Sequence, residues 1–257
     1  YSFRTNLDHR ISKKFKVGTS LLGSYSVNSG VTTGSTSVGD GAVVTGSILG
    51  AAIGAPPVLQ PYRPDGTIFP FGEQADGRYR EVSNPLGFAE NLNRTDLRRT
   101  LANFYGEVEI LKNLTYRASF NIDLQNNLND RYSPRSIIAV RDLNDNSGSG
   151  SKSNSNFTGL LHESILTYAQ RLGENQTLKF TGVFATQSDL SNSNSISANG
   201  FPNDATQNEA LQLALNRTVS SGRSKQRLDS YMGRINYGFK DKYFIDVVAR
   251  VDGSSRF

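Results

Sequence analysis

The chain has no cysteine and only two histidines, and nowhere does it hold the ~20 consecutive apolar residues that a membrane-crossing helix needs. The first absence excludes a disulfide scaffold and a thiolate metal site. The last means that any crossing of a bilayer is made by strands. Apolar residues are also scarce, 36% of 257, and the mean hydropathy is negative, so a soluble globule built from this chain would be short of surface to bury. The net charge of +5 is spread along the chain and forms no basic tract, which excludes an electrostatic footprint for nucleic acid. No basic start followed by an apolar run stands at Tyr1, so the reading places the true N-terminus elsewhere.

A two-residue rhythm takes the place of apolar runs. In Ser230 to Phe257 the residues Tyr231, Gly233, Ile235, Tyr237 and Phe239 alternate with Ser230, Met232, Arg234, Asn236 and Gly238. A turn at Lys240-Asp241-Lys242 follows, and Tyr243, Ile245, Val247, Ala249 and Val251 form a second greasy row. Such alternation describes a hairpin with one apolar and one polar face. Tyr237, Phe239 and Tyr243 crowd the turn, where a bilayer-crossing strand meets headgroups.

The same rhythm opens the chain in Tyr1, Phe3, Thr5 and Leu7, and resumes from Phe15 to about Asn28. It returns in Ala102, Phe104, Val108 and Ile110, and most clearly in Leu114, Tyr116, Ala118, Phe120, Ile122 and Leu124. A fifth strand is expected over Phe157–Gln170 with mixed sidedness, and a sixth through Leu178, Phe180, Gly182 and Phe184. Between them the periodicity lapses in stretches rich in Gly, Ser, Asn and Pro, near 29–98, 126–156 and 188–224. Within these, Ala42–Ile53 reads as a short helix, and Asp204 is placed to cap another whose stripe is Ala210, Leu211, Ala214 and Leu215. Short turns near residues 12, 113, 174 and 241 therefore alternate with long connections. That order belongs to an antiparallel transmembrane β-barrel with tight turns on one side and long loops on the other. The expected fold is all-β: about eight strands in four hairpins, an arc of a larger barrel, with short helices in long extracellular loops.

The run SYxGRxNYxxKDKYxxxxxxRxDGSSRF at the C-terminus resembles the signature hairpin of the SusC/RagA branch of TonB-dependent outer-membrane transporters. Its closing motif is Asp252, Gly253, Ser254, Ser255, Arg256 and Phe257. Weaker echoes lie at Arg4–Asp8 with Ile11-Ser12, at Asn84-Pro85-Leu86 and at Leu114–Arg117. The resemblance implies a barrel of about twenty-two strands, the plugged class, of which this chain is a part; a plug domain, a TonB-contacting segment and the terminal strands are expected outside it. It further implies active import of oligosaccharides or peptides across the outer membrane of a Gram-negative cell. Implied partners are outer-membrane lipids, a SusD-like surface lipoprotein as lid, and TonB through the plug, with no cofactor and no nucleic acid. A structural or adhesive barrel without transport is the alternative.

Enzyme signals are poor, because His9 and His162 have no nucleophile motif beside them. Asp142, Asn144, Asp145 and Asn146 imitate the start of a calcium loop, but Ser147 replaces its glycine and Ser153 its bidentate Glu. Gly148–Ser153 reads as flexible linker, and the Asn-x-Ser/Thr triplets follow from composition. Two sets carry the functional expectation. Arg4, Asp8, Glu107, Glu109, Arg117, Asp123, Arg234, Arg250 and Asp252 fall opposite the greasy rows and are expected to face a wet lumen, pairing with one another and with the plug. Tyr62, Phe69, Phe71, Tyr79 and Phe88, in the first long loop, offer aromatic faces for sugar rings or peptide side chains.

Overall fold

In the computed structural model, residues 1–31, 48–74, 84–135 and 148–256 are described. Eight strands run in sequence order through one antiparallel sheet: β1 (Ser2–Arg10), β2 (Phe15–Ser29), β3 (Leu92–Leu111), β4 (Leu114–Ser133), β5 (Ser149–Leu172), β6 (Gln176–Asn199), β7 (Asn216–Phe239) and β8 (Tyr243–Ser254). The four short turns lie where the lapses of alternation are briefest. Three of them use the left-handed backbone region that disfavours most side chains: Asn113 supplies it between β3 and β4, Gly173 between β5 and β6, and Lys240 with Asp241 between β7 and β8. Asn is a natural choice there because its short amide tolerates that conformation.

Register joins the greasy rows into one face. A single line of partners crosses all eight strands, His9, Val17, Gly106, Ala118, Ser164, Phe184, Tyr231 and Val251. The face is uncovered: Phe120 is 56% and Tyr231 60% exposed, against 4% for Ser119 and 9% for Asp189 on the opposite side. Among the described residues this side is covered only at the outer ends of β4–β6, and the rest of the apolar exterior calls for an apolar solvent.

The strands outrun the expectation. β3 begins at Leu92, β4 continues to Ser133, β5 starts at Ser149, β6 reaches Asn199 and β7 starts at Asn216, so the connections are 30–91, 134–148 and 200–215 rather than 29–98, 126–156 and 188–224. Periodicity failed there because both faces of the extensions meet water and neither needs apolar residues. Ladder hydrogen bonds and polar cross-strand pairs hold them instead. Asn126 donates to Asn154 and Asn156 at 2.9 and 2.7 Å, Thr95 to Asn129 at 2.8 Å, and the Ser195 and Ser220 hydroxyls meet at 2.7 Å.

Two small cores form away from the short turns. Residues 200–215 fold back over the apolar-face side of the outer ends of β4–β6, where Tyr132 and Ala198 pack against Phe201, Leu211 and Ala214. The expected stripe is half right: Leu211 and Ala214 are buried, but Leu215 is 80% exposed. The segment is a 3-10 turn, Gln207–Leu213, kinked at Ala210. Asp204 does not cap it. Its carboxylate instead accepts from the Tyr132 hydroxyl at 2.6 Å and the Arg135 amide at 3.1 Å.

The second core belongs to the first long connection. It contains α1 (Ile48–Gly54) and α2 (Pro85–Ala89); residues 42–47 of the expected helix lie outside the described residues. Asn84 caps α2, accepting from the Leu86 amide at 3.0 Å, with Pro85 at the first helical position. Its amide donates to the Pro61 and Phe69 carbonyls at 2.8 and 2.9 Å. One buried side chain thus ties α2 to the 60s, which gives the Asn84-Pro85-Leu86 echo its physical role.

Candidate functional site

The polar face is built strand by strand from the residues that alternate with the greasy rows. Register sets Arg4, Leu22, Leu101, Asp123, Gly159, Asp189 and Gln226 in one line. A trough of about 490 Å³ opens on this line, lined by Arg4, Asn103, Asn121, Asp123, Gln187 and Asp189 among others. All nine charges expected opposite the greasy rows share this face, and most are paired. Asp123 takes a two-pronged bond from Arg99 at 3.0 and 2.8 Å, the fork geometry that favours Arg over Lys. Arg234 grips Asp246 in the same way. Arg250 reaches Asp252 at 2.8 Å, and Ser230 donates to Asp252 at 2.5 Å. Glu107 and Arg117 approach to 4.0 Å, while Glu109 sits near the β3–β4 turn.

A residue outside the expected set organises the end near β1. The Tyr105 ring lies across Gly18 and hydrogen-bonds Asp8, while Arg117 stacks on it at 4.1 Å and Lys16 stands 5.5 Å from its centre. Glycine is required opposite Tyr105 because any Cβ at Gly18 would collide with the ring and with the Asp8 carboxylate. Arg99 and Tyr105 share the polar parity of β3 with Glu107. Their partnerships were not legible in the sequence, because these depend on register across strands. Gln187, Asp189 and Gln226 form a further group, with both glutamines donating to the Asp189 carboxylate.

The first connection treats its aromatics unequally. Phe71 and Phe88 are 4% and 8% exposed, packed in the connection's own core. The expectation that they offer stacking faces is therefore corrected: the segment needs them to bury apolar area of its own. Tyr62 is 51% exposed in a small hairpin bridged to Ile68, and Phe69 is half-buried beneath the Arg63 guanidinium, 5.0 Å from its ring centre. Tyr79 lies outside the described residues, as do Asp142, Asn144, Asp145 and Asn146. In the same hairpin, Asp65 accepts from the Thr67 hydroxyl and amide at 2.7 and 2.9 Å; these bonds, the hydroxyl first, hold its carboxyl below the usual carboxylate range. Burial, and next the Asp204 carboxylate, push the Tyr132 hydroxyl well above the ordinary tyrosine range.

His162 is on the apolar face, stacked on Phe120 with centroids 4.5 Å apart. Its Nδ1 meets the Ser119 carbonyl at 3.1 Å and its Nε2 the Ser164 hydroxyl at 3.0 Å, which in turn meets Tyr116 Oη at 2.9 Å. This chain satisfies each polar atom locally, as a group facing hydrocarbon requires. His9 is exposed at the start of the sheet. Among the described residues no three His, Asp or Glu side chains gather as a metal site.

No family model matches the chain. TonB-dependent receptor P3 of Formosa agariphila is 28% identical over 259 residues, covering the whole of this chain and 25% of its own length. TonB-dependent receptor P26 of the same organism is 29% identical over 260 residues, again covering the whole chain and 24% of its own length. Among solved structures, the RagAB peptide transporter superposes over the whole chain with a TM-score of 0.77 at 19% identity, using 28% of its own length. The RagAB importer in its open-open state gives 0.74 at 20% identity. Over its whole length the chain is similar to TonB-dependent receptors, and it shares the fold of part of the RagAB transporter. It spans about a quarter of the length of the curated relatives it matches, and its single antiparallel sheet is a segment of a larger β-barrel.

Within the sheet the closing residues are bonded to β7. Ser255 exchanges backbone bonds with Arg227, donating its amide to the Arg227 carbonyl at 3.0 Å, and its hydroxyl accepts from the Arg227 amide at 2.8 Å. Ser254 Oγ accepts from the Arg256 amide at 3.2 Å, and Asp252 anchors Arg250 and Ser230 as above. Gly253 stands opposite Asp229 in register. Phe257 lies outside the described residues.

Proposed function

We propose that this chain is part of the wall of an outer-membrane receptor that imports oligosaccharides or peptides by TonB-dependent active transport. The observation that carries the reading is the division of one continuous sheet into an uncovered apolar face and a face of paired charges and amides. A barrel wall needs the first against lipid and the second against water or a plug. Similarity to TonB-dependent receptors adds support for TonB dependence, and likeness to the RagAB peptide importer for import. Fixed charges such as the Arg99–Asp123 and Arg234–Asp246 pairs neutralise one another on the wall, and Asn103, Asn121 and Gln187 in the trough are left as neutral polar groups to contact a plug.

In this reading the outer connections select the substrate and receive a SusD-like lipoprotein as lid. Tyr62 and Phe69 are the aromatic faces that remain for stacking against a sugar ring or a peptide side chain. The test is uptake by cells whose only copy of the intact receptor carries Tyr62→Ala with Phe69→Ala, across a panel of glycans and peptides. Loss of one substrate class, with the receptor present at normal level, is the expected result. Unchanged uptake of every substrate removes these two residues from the reading, and uptake that persists without TonB removes active transport.

A further inference from the structure

The outer part of the polar face sorts its residues in a way that water on both sides does not explain. Every polar-face position from Ser149 to Ser155 on β5 and from Ser191 to Ser197 on β6 is serine, whereas the alternate positions hold Lys152, Leu190, Ile196 and Ala198 besides glycine and asparagine. The adjoining row on β4 is Gln125, Asn127, Asn129 and Arg131. Throughout this stretch β4, β5 and β6 have a bonded strand on each side, so neither the pattern nor the access to it arises at an edge of the sheet. At the outer end a trough of about 520 Å³ opens, lined by Asn93, Arg131, Ser149, Ser151, Ser197 and Asn199 among others. At about 3.3 Å per residue and a strand tilt near 40°, Ser151 stands about 53 Å above the β5–β6 turn, beyond a hydrocarbon core of about 30 Å. Arg131, its register partner, is exposed, and its guanidinium has no ion pair, hydrogen bond or ring contact among the described residues. No Asp or Glu shares its face on β3–β6 above the Asp123–Asp189 line. Asp123 lies about 26 Å down the same strand, beyond the screening length of about 8 Å, and is taken by Arg99. The charge of Arg131 is left uncompensated.

We infer that this trough binds a carboxylate-bearing oligosaccharide, with the Arg131 guanidinium on the carboxylate of an acidic sugar and the serine and asparagine groups on its hydroxyls. The inference rests on the import reading above and narrows its substrate class. A guanidinium presents parallel N–H donors that match the two oxygens of a carboxylate, and here no acidic side chain competes for them. Each serine hydroxyl around it both donates and accepts, as sugar hydroxyls do, and those of Ser149, Ser151 and Ser197 bond to no described residue. Their short side chains also keep the wall flat, which leaves room for a row of sugar rings to lie along it. A peptide fits less well, because its ammonium groups ask for acidic partners and this part of the face holds none.

The test is calorimetric titration of the full-length receptor in neutral detergent with hexagalacturonate and hexaguluronate, each beside its methyl ester, which keeps the sugar and removes the charge. Binding of at least one acid, more tightly than its ester, is expected. Arg131→Gln should weaken that acid about 10- to 150-fold, the factor carried by a hydrogen bond to a charged group, and leave the ester and the thermal midpoint as in the parent. Arg131→Lys should recover part of the loss, because the charge remains without the fork. Lys179→Gln, the same charge change on the polar face near the short turns, leaves both ligands unaffected. Failure of every acid to bind overturns the site, as does an equal fall of acid and ester in Arg131→Gln. Hexaglutamate that binds as tightly, with the same dependence on Arg131, assigns the cation to peptides and overturns the glycan. Whole-cell uptake separates this result from the reading beneath it. TonB-dependent import of a neutral glycan or a peptide by a receptor that binds no acid leaves the proposed function standing, whereas uptake of every probe that persists without TonB removes that function even where the acid binds.

Discussion

Removing one oxygen from Tyr132 is expected to loosen the connection between β6 and β7 while leaving the barrel wall intact. Tyr132 is 2% exposed, and its ring packs edge-on against Phe201 at 5.4 Å. Its hydroxyl donates to Asp204 at 2.6 Å, and that carboxylate also takes the Arg135 amide. Tyr132→Phe keeps the ring and the small core but removes a hydrogen bond to a charged acceptor, a change of about 1.5–3 kcal/mol. That range corresponds to about a 10- to 150-fold rise in the opening equilibrium of residues 200–215. Hydrogen exchange of the intact receptor in a bilayer should therefore accelerate by that factor at the Ala214 and Leu215 amides, which bond back to Leu211 and Gly200, and not at β5 or β6 below Ser188. A pH arm isolates the hydroxyl. Its pKa in the fold is raised above the ordinary tyrosine value of about 10. The hydroxyl's contribution is therefore fully present below that value and is lost as pH rises through the higher, folded one. In a phenolate absorbance titration, the difference between parent and Tyr132→Phe should contain one tyrosine that ionises after the exposed ones. Unchanged exchange at Ala214 and Leu215, or a missing tyrosine that ionises with the rest, would refute the argument.

Three further outcomes are expected. Gly18→Ala should expel the Tyr105 ring from its place across β2 and break its bond to Asp8, lowering the stability of the refolded receptor in a urea series by about 1–3 kcal/mol; a double variant with Tyr105→Phe should lose less than the sum of the two single changes. Asn113→Ala should cost about 1–2 kcal/mol in the same assay because Asn113 holds φ at 71° and its amide donates to Gln170 at 2.6 Å, while Asn113→Gly should cost less, losing the hydrogen bond without the backbone strain. For Asp65, whose folded pKa is depressed, the stabilisation of the 63–67 turn is present above the unfolded value of about 4 and is lost as pH falls through the folded one. Amide exchange at Thr67 should lose its protection in that acid window, and Asp65→Asn should abolish the pH dependence; a transition that persists in Asp65→Asn would assign it to another group.

Much of the wall was legible in the alternation of Tyr231 to Phe239 and of Leu114 to Leu124, because hydrocarbon on one side demands an apolar residue at every second position. Where that demand ends, the rhythm ends too. This is why the Ser- and Asn-rich halves of β5 and β6 read as loop although they are strand: two wet faces impose no pattern. The expected set of nine charges shares one face for the same parity reason, yet Arg99, Tyr105 and Asp246, which complete the pairings, could be assigned to partners only once register across strands was fixed. Among the loop aromatics, Phe71 and Phe88 are buried for a different cause. Nothing in the neighbourhood of Phe71 or Phe88 distinguishes a ring offered to substrate from one needed by the connection's own core.

The order of residues by itself determined the two-faced strands, the tight turns at Asn113 and Lys240-Asp241, and the kinship carried by the closing hairpin, since each depends on neighbours within a few positions. Tertiary structure alone decided that Asp204 binds Tyr132 instead of capping a helix, and that Gly18 yields its space to Tyr105. Those outcomes join residues tens of positions apart. Only the hydrogen-bonded register of the whole sheet fixes such distances.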